Sequence, residues 1–489
     1  MNIMIKKYFS FISIAFYLAW ISLILSLNTS LEEIQYFGQG IVKTVNALRL
    51  ILALIISFII ILFLVYVTIK KKISAYNEFF YLWLAYFFFQ IISGLINGNE
   101  ITISNQSNID ILNYFNTWQY QKHIHLPVLS IASIICLFLV QQQKIKLEYF
   151  LNILIGIITL VSLVLIFIIF ANSETVSFNL YYLIDPDYNN KIINQPVPRI
   201  TGLSRMLAII NIFALSFVLF RDLNKYNKIY LFILINILSI FIISAQSRGS
   251  FLCFYLSIMY MIFFLVKKNI KKKIKLLVTI VLFPILTTFA INFIAVEIKQ
   301  QQLKSEKQQQ LKSEKQQQLK SEKQQQLKSE VLVAPPSIEN RYLKYTDSGR
   351  RILWEKALAK YNYQNLFGYG PQADRRLLLA TDPKKEIHHY GNNVSNGFIY
   401  AFLCGGYLSL IFYLIINFKI ITNIIKNIKT INNYKNNYSI FYYKLSSTFL
   451  IFFFIRQNFE NSFSIFGIDF LIVIVCTFII NKNRKFKQN

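Results

Sequence analysis

Residues 149–171 read YFLNILIGIITLVSLVLIFIIFA, twenty-three positions without a charge. Wound as a helix at about 1.5 Å per residue, such a run covers roughly 34 Å, enough to cross about 30 Å of hydrocarbon. No polar face interrupts it, so it is not the amphipathic helix of a water-soluble fold. In lipid a single segment has to satisfy its own backbone hydrogen bonds, and only a helix does this without a closed barrel. The stretch therefore predicts a membrane-spanning helix.

Eleven more runs of comparable character lie at about 8–27, 48–69, 79–97, 124–140, 203–220, 229–246, 250–266, 275–296, 394–418, 440–456 and 463–480. No small-residue cleavage site follows the run at 8–27, which reads as the first span. The expected fold class is an all-α polytopic membrane protein with about 12 transmembrane helices. Composition agrees: 55% of the 489 residues are hydrophobic, 16% aromatic and only 15% charged, against about 25% charged in soluble domains. A compact soluble core does not hide that much apolar surface. The four cysteines, Cys136, Cys253, Cys404 and Cys476, all fall inside apolar runs, and no CxxC pair suggests a zinc site or a disulfide framework.

A net charge of +28 would by itself suggest nucleic acid. The lysines form no single face or stripe, however. They cluster in short segments between apolar runs, where they set orientation in the membrane. With the N-terminus inside, alternate segments carry Lys6 and Lys7; Lys70 to Lys72; Lys144 and Lys146; Arg221, Lys225 and Lys228; Lys267, Lys268, Lys271 to Lys273 and Lys275; Lys419, Lys426, Lys429 and Lys435; and Lys482, Arg484, Lys485 and Lys487. Both termini are then expected in the cytoplasm. No nucleic-acid partner is expected, and membrane lipids are.

That register divides the chain into spans one to nine over 1–296, an outer loop over 297–393, spans ten to twelve over 394–480 and a cytoplasmic tail over 481–489. A loop near a hundred residues is far longer than packing requires, and such loops commonly carry function. Within it, the unit QQQLKSEK recurs from Gln300 to Glu330, with leucines at 303, 311, 319 and 327. A period of eight makes these leucines spiral around a helix without forming a stripe, so 300–330 reads as a polar tether and 331–393 as the functional part.

Four outer places gather polar residues that an anchor has no need of. They are Arg199 to Arg205 at the start of the sixth span; Ser247-Arg248-Gly249-Ser250 at a tight turn; Ser348-Gly349-Arg350-Arg351 with Trp354, leading to Phe367-Gly368-Tyr369-Gly370; and His388-His389-Tyr390, then Ser395 and Asn396, where the chain returns to the membrane. An arginine at a membrane boundary often snorkels to the headgroups. Arg248 is less easily read that way, because positive charge usually avoids this side and desolvation is costly without an anion. Arg199, Arg205, Arg248 and Arg350 together would suit a diphosphate, since each guanidinium fork bonds two phosphate oxygens. A neutral imidazole of His388 or His389 would suit a base near neutral pH, whereas His123 and His125 read as interfacial. No metal site or cofactor is expected, for want of a third ligand at a telling spacing.

These residues resemble the O-antigen ligase and O-antigen polymerase superfamily of bacterial envelope glycosyltransferases. Arg199-Ile200-Thr201-Gly202-Leu203 is similar to its "RxTGL" segment and Ser247-Arg248-Gly249 to its "SRG" turn. Ser348-Gly349-Arg350 with Trp354, then Phe367-Gly368-Tyr369-Gly370, resemble its "SGRxxxW…FGxG", and Asn396, ten residues before Gly406, resembles the asparagine of its "HN" pair. The resemblance implies a GT-C-like membrane fold in the inner membrane, with the large loop in the periplasm. It also implies inverting transfer from an undecaprenyl-diphosphate-linked glycan to lipid A-core or to another lipid-linked glycan. Carried onto this chain, Arg350 and Arg248 would bind the diphosphate, with Arg199 or Arg205 as a third cation. Trp354, Gly368, Gly370, Ser395 and Asn396 would position the acceptor or the loop. The family's His is Ser395 here, so His388 or His389 would supply the base. The acidic residue two before the glycine is Cys404, and the octad repeat is an insertion. These departures favour a divergent polymerase over a ligase.

A flippase for lipid-linked oligosaccharide is the rival reading. Transporters keep charges or broken helices near the midplane and show related halves. Here the spans read as almost free of charge, only Pro284 interrupts one centrally, and the halves show no correspondence.

Overall fold

The computed structural model describes residues 2–26, 51, 55–63, 65–66, 77–98, 121–171, 200–244, 248–288, 290, 350–381, 393–433, 438–461 and 463–482. The elements among them are helical. In chain order they are α1 (Asn2–Leu25), α2 (Glu78–Asn97), α3 (Gln121–Gln142), α4 (Leu147–Ala171), α5 (Ile200–Phe220), α6 (Lys225–Ser244), α7 (Arg248–Tyr260), α8 (Ile270–Leu277), α9 (Arg350–Ala359), α10 (Ala373–Thr381), α11 (Gly397–Asn433), α12 (Tyr438–Arg456) and α13 (Ile468–Lys482). One π-helical turn, Met261–Leu265, extends α7 and another, Val278–Leu282, extends α8.

Seven of these, α2 to α6, α11 and α12, are long and apolar enough to cross a membrane. Shorter apolar helices cover Ile12–Leu25 and Gly249–Leu265. Of the other expected spans, 463–480 overlaps the 15-residue α13, and 48–69 and 275–296 are described in part as helix. The structure is thus that of a polytopic α-helical membrane protein. The octad repeat lies outside the described residues.

The quoted stretch shows why these helices form. In α4, Phe150, Leu151, Leu154 and Ile158 are buried against the bundle, while Leu160, Leu163 and Phe167 are exposed. Both faces are apolar because the helix meets protein on one side and hydrocarbon on the other. Several hydroxyls inside the spans are satisfied locally: Ser133, Thr159, Ser216 and Ser257 each donate to the carbonyl four residues back, at 2.6–2.8 Å. Between α5 and α6, the Asn211 amide donates to Ile235 O at 3.1 Å and to Ser239 Oγ at 2.9 Å. A polar bond of this kind holds two helices in register where lipid gives no hydrophobic drive to pack. The most extensive helix pairing is α2 with α11. Phe470 packs edge to face on both Trp83 and Phe87 beside it.

The helices alternate in direction, which sorts their ends into two groups. At one end lie Lys146, Arg221 and Lys419. Arg221 sits over the rings of Tyr438 and Phe441, 4.9 and 4.6 Å from their centroids, and Lys146 over Tyr438 at 5.5 Å. There too Asn77 bonds Gln141 at 2.9 Å and Asn481 bonds Asn77 at 2.7 Å, and Lys419 pairs with Glu78 at 2.6 Å. At the other end lie the starts of α5, α7, α11 and α13 with the finish of α2 and α12.

One expectation needs correcting. Pro284 is not the sole central interruption, because α11 breaks at Gly406, where φ is 68° and ψ is −161°. Residues 366–370 lie in the break. Tyr369 N donates to Leu403 O at 2.9 Å, Gly370 N to Cys404 O at 2.8 Å, and Tyr407 N to Leu366 O at 3.2 Å. The carbonyls that the helix would have used are thereby satisfied.

Candidate active site at the helix ends opposite the basic loops

α12 ends in Arg456 and α13 begins one residue before Asp469. The Asp469 side chain is 0% exposed, and its Oδ2 accepts from Arg205 Nη1 of α5 at 3.2 Å and lies 3.5 Å from Arg456 Nε. Arg456 Nη1 in turn donates to Ser250 Oγ of α7 at 3.1 Å. Four helix ends are tied together by this one network. A buried carboxylate demands such partners, because desolvating it without them costs several kcal/mol.

The connection from α12 to α13 carries the rest of the site. Its first residues turn tightly, with Phe459 N and Glu460 N both donating to Arg456 O at 2.8 and 2.9 Å. The turn presents the Phe459 ring 5.9 Å beneath the Arg350 guanidinium and puts Glu460 Oε1 3.9 Å from Arg350 Nη2. That last separation is a charge contact, too long for a hydrogen bond. Phe459 also lies close to Gly249, where an added Cβ would be 3.8 Å from the Phe459 Cβ. Gly249 and Arg350 therefore both lie against Phe459. Arg350 is 30% exposed and Arg205 22%, so both guanidinium groups reach a solvent-accessible surface.

The return segment docks on the same connection. Gly397 N donates to Gln457 O at 2.8 Å and Asn396 Nδ2 to Asn458 O at 3.4 Å. Asn396 Oδ1 caps α11, accepting from Phe398 N at 3.0 Å and Ile399 N at 3.1 Å. Ser395 has a φ of 45°, unusual for a residue with a Cβ, and its Oγ donates to Asn393 Oδ1 at 2.7 Å. Trp354 holds this segment from the other side by donating Nε1–H to Val394 O. Asp374, 0% exposed, holds it from below: its Oδ2 accepts from Val394 N at 3.2 Å and from Asn461 Nδ2 at 3.4 Å. Burial pushes the Asp374 carboxyl up, against the lowering effect of Arg375 and the backbone amides.

The structure thus brings together Arg205, Arg350, Trp354, Ser395 and Asn396. Arg248 is the first residue of α7, and its side chain lies outside the described part of the structure. Arg199, His388 and His389 also lie outside the described residues. Gly368 and Gly370 sit in the α11 break. A Cβ on Gly368 would lie 2.5 Å from Leu403 O, and one on Gly370, whose φ is 87°, would lie 2.5 Å from Gly94 Cα. Close backbone approach explains both glycines. Beside them, buried Arg376 donates Nη1 to Gly98 O at 2.7 Å and Nη2 to Tyr369 O. Among the described residues, no three His, Cys, Asp or Glu side chains assemble a metal site.

Sequence reasoning missed Arg456, Asp469, Glu460 and Asp374. The first two were detectable, since both are ionisable residues within or ending an apolar run, where charge usually marks a function.

The protein is an integral membrane protein whose helices gather arginines and carboxylates at the end remote from its lysine-rich segments. Residues 231–414 match the family model described as O-antigen ligase. That match supports a place for the chain in the O-antigen ligase and polymerase superfamily. It contains Arg350, Gly368, Gly370, Asn396 and Gly406, whereas Arg205, Arg456 and Asp469 flank it. The match supports a membrane glycan ligase or polymerase role in surface-polysaccharide synthesis. No curated protein and no solved structure gives a significant match to the chain.

Proposed function

We propose that the chain is a GT-C-like glycosyltransferase of about twelve spans that transfers a glycan from an undecaprenyl-diphosphate carrier. It sits in the inner membrane with both termini in the cytoplasm and the 297–393 loop in the periplasm. The lysine-rich end is the cytoplasmic one, by the usual bias of basic loops. The observation that carries the reading is the meeting of Arg205, Arg350 and Arg456 at the opposite end. There a diphosphate headgroup at the membrane surface would find bidentate donors.

In the reaction the acceptor hydroxyl attacks the anomeric carbon from the face opposite the diphosphate. The glycosidic C–O bond to the carrier breaks, the diphosphate leaves with one more negative charge, and the sugar inverts. Arg350 and Arg205, together with Arg248 and Arg199, stabilise that developing charge, which is usually the largest catalytic contribution. The acceptor proton passes to His388 or His389. Trp354 and the Ser395-Asn396 segment position the acceptor, which is lipid A-core or a second lipid-linked glycan. A divergent polymerase is favoured over a ligase, because Ser395 and Cys404 replace a family His and acid.

A broken helix such as α11 is also a transporter feature. In this chain residues 366–370 occupy the break with backbone hydrogen bonds, so its freed carbonyls do not face a substrate path.

Arg350→Ala should abolish glycan transfer while the protein still accumulates in the membrane, and retained transfer would remove the central residue of the reading. A deletion strain assigns the acceptor. Loss of all capped lipopolysaccharide with free polymer means ligase, and capping by single repeats means polymerase.

A further inference from the structure

We infer that Asp469 and Arg456 are positioning residues that aim Arg205 at the carrier's diphosphate, an inference that rests on the donor reading above. An ion pair built only for stability would match one carboxylate to one cation. Here two guanidinium groups from α5 and α12 share one buried oxygen, Asp469 Oδ2, at 3.2 and 3.5 Å. Taking in the neighbouring Arg350–Glu460 contact, these ion pairs hold three cations and two anions. The surplus positive charge suits an anionic ligand arriving at this end of the bundle.

Exposure divides the roles. Side chains of Asp469 and Arg456 are 0% and 7% exposed, whereas Arg205 is 22% exposed. Only Arg205 therefore reaches a ligand at the surface, and the other two act through it. The chain of contacts runs Ser250, Arg456, Asp469, Arg205, so each link comes from a different helix or helix end. Asp469 also stands in the first turn of α13, where the helix dipole favours its negative charge and keeps it available as a fixed counterion. A guanidinium held at one nitrogen in this way loses its rotamer freedom before the ligand arrives, and such preorganisation favours binding.

The test uses purified full-length protein in micelles and farnesyl diphosphate as a short prenyl-diphosphate probe, with farnesyl monophosphate for comparison. Asp469→Asn should weaken diphosphate binding at least about tenfold and should narrow the preference over the monophosphate. Asp469→Glu should restore part of both. Because Asp469→Asn leaves buried charge unpaired and could fail to fold, the neutral double variant Asp469→Asn/Arg456→Gln is measured beside it. If the pair is only structural, that double variant binds the probe as wild type does, and the inference is overturned. Weakened binding in a monodisperse double variant supports it. Arg350→Ala separates the two levels: wild-type binding in that variant sinks the diphosphate reading itself. Lost binding there with wild-type binding in the Asp469 variants sinks this inference alone.

Discussion

Gly406→Ala tests whether the α11 break is built into the backbone or merely tolerated. With φ at 68° and ψ at −161°, Gly406 occupies a region that is essentially glycine-only. Placing an L side chain there costs about 1–3 kcal/mol in backbone strain. The added Cβ would also fall on the Leu366 carbonyl oxygen, 2.6 Å from Gly368 N and 2.7 Å from Phe367 C. All three are backbone atoms, so no side chain can rotate away. Overpacking of this kind adds about 1–3 kcal/mol, for a combined loss of about 2–6 kcal/mol. The loss is read from denaturant unfolding of the purified protein in micelles, extrapolated to zero denaturant. Gly202→Ala is the matched control. Gly202 lies within α5, an added Cβ there meets nothing within 4 Å, and alanine is the better helix former by up to about 1 kcal/mol. A Gly406→Ala protein within about 0.5 kcal/mol of wild type, the range of an indifferent surface change, would refute the close approach of 366–368 to the break.

Three other perturbations probe the return segment. Trp354→Phe removes the Nε1–H that Val394 O accepts and should cost about 1–2 kcal/mol. It should also speed amide exchange at 394–396; unchanged exchange there would mean that Trp354 does not hold this segment. Asp374 has a carboxyl pushed above its ordinary value of 3.8 by burial. The folded state then binds that proton more tightly than the unfolded state, so stability falls as pH rises from about 3.8 through the raised value and levels off beyond it. Asp374→Asn should remove this part of the pH dependence, and an unaltered slope in stability against pH would refute the assignment. Asn396→Ala deletes an N-cap accepting two amides and should cost about 0.5–2 kcal/mol. Asn396→Asp keeps the acceptor, so it should retain both stability and glycan transfer if Asn396 is a cap; selective loss of transfer would mean that its amide touches substrate.

Much of this fold is written locally. A run such as 149–171 cannot be anything but a span, and the Lys and Arg clusters fix which helix ends lie together. The glycines of Phe367-Gly368-Tyr369-Gly370 mark a tight approach, but their partner, Gly406 and the carbonyls before it, follows in sequence only after a further stretch of chain and a return into the bundle. Hydropathy averages over about 19 residues see α11 as one helix, because a single glycine hardly changes the mean. Backbone dihedrals, which decide the break, leave no mark on such an average.

The arginine network was illegible for a different reason. Arg205 and Asp469 stand 264 positions apart, so no periodicity or short motif connects them. Each alone reads as a boundary residue, since a lone arginine at a helix end needs only headgroups for company. Their pairing becomes necessary once alternation brings the start of α5 beside the start of α13, because a carboxylate whose side chain is fully buried has no water to solvate it. The connection between α12 and α13 is then forced to be polar. It has to present Phe459 and Glu460 to Arg350, offer the Gln457 and Asn458 carbonyls to the return segment, and let Asn461 reach Asp374. Sequence that looks like a short hairpin between two spans is therefore the part to which Arg350 and Asn396 are fastened, next to the Asp469 that holds Arg205, and its own residues lie outside the 231–414 match. If the cationic end does grip a carrier headgroup, this connection sets the distance between the leaving group and the acceptor segment.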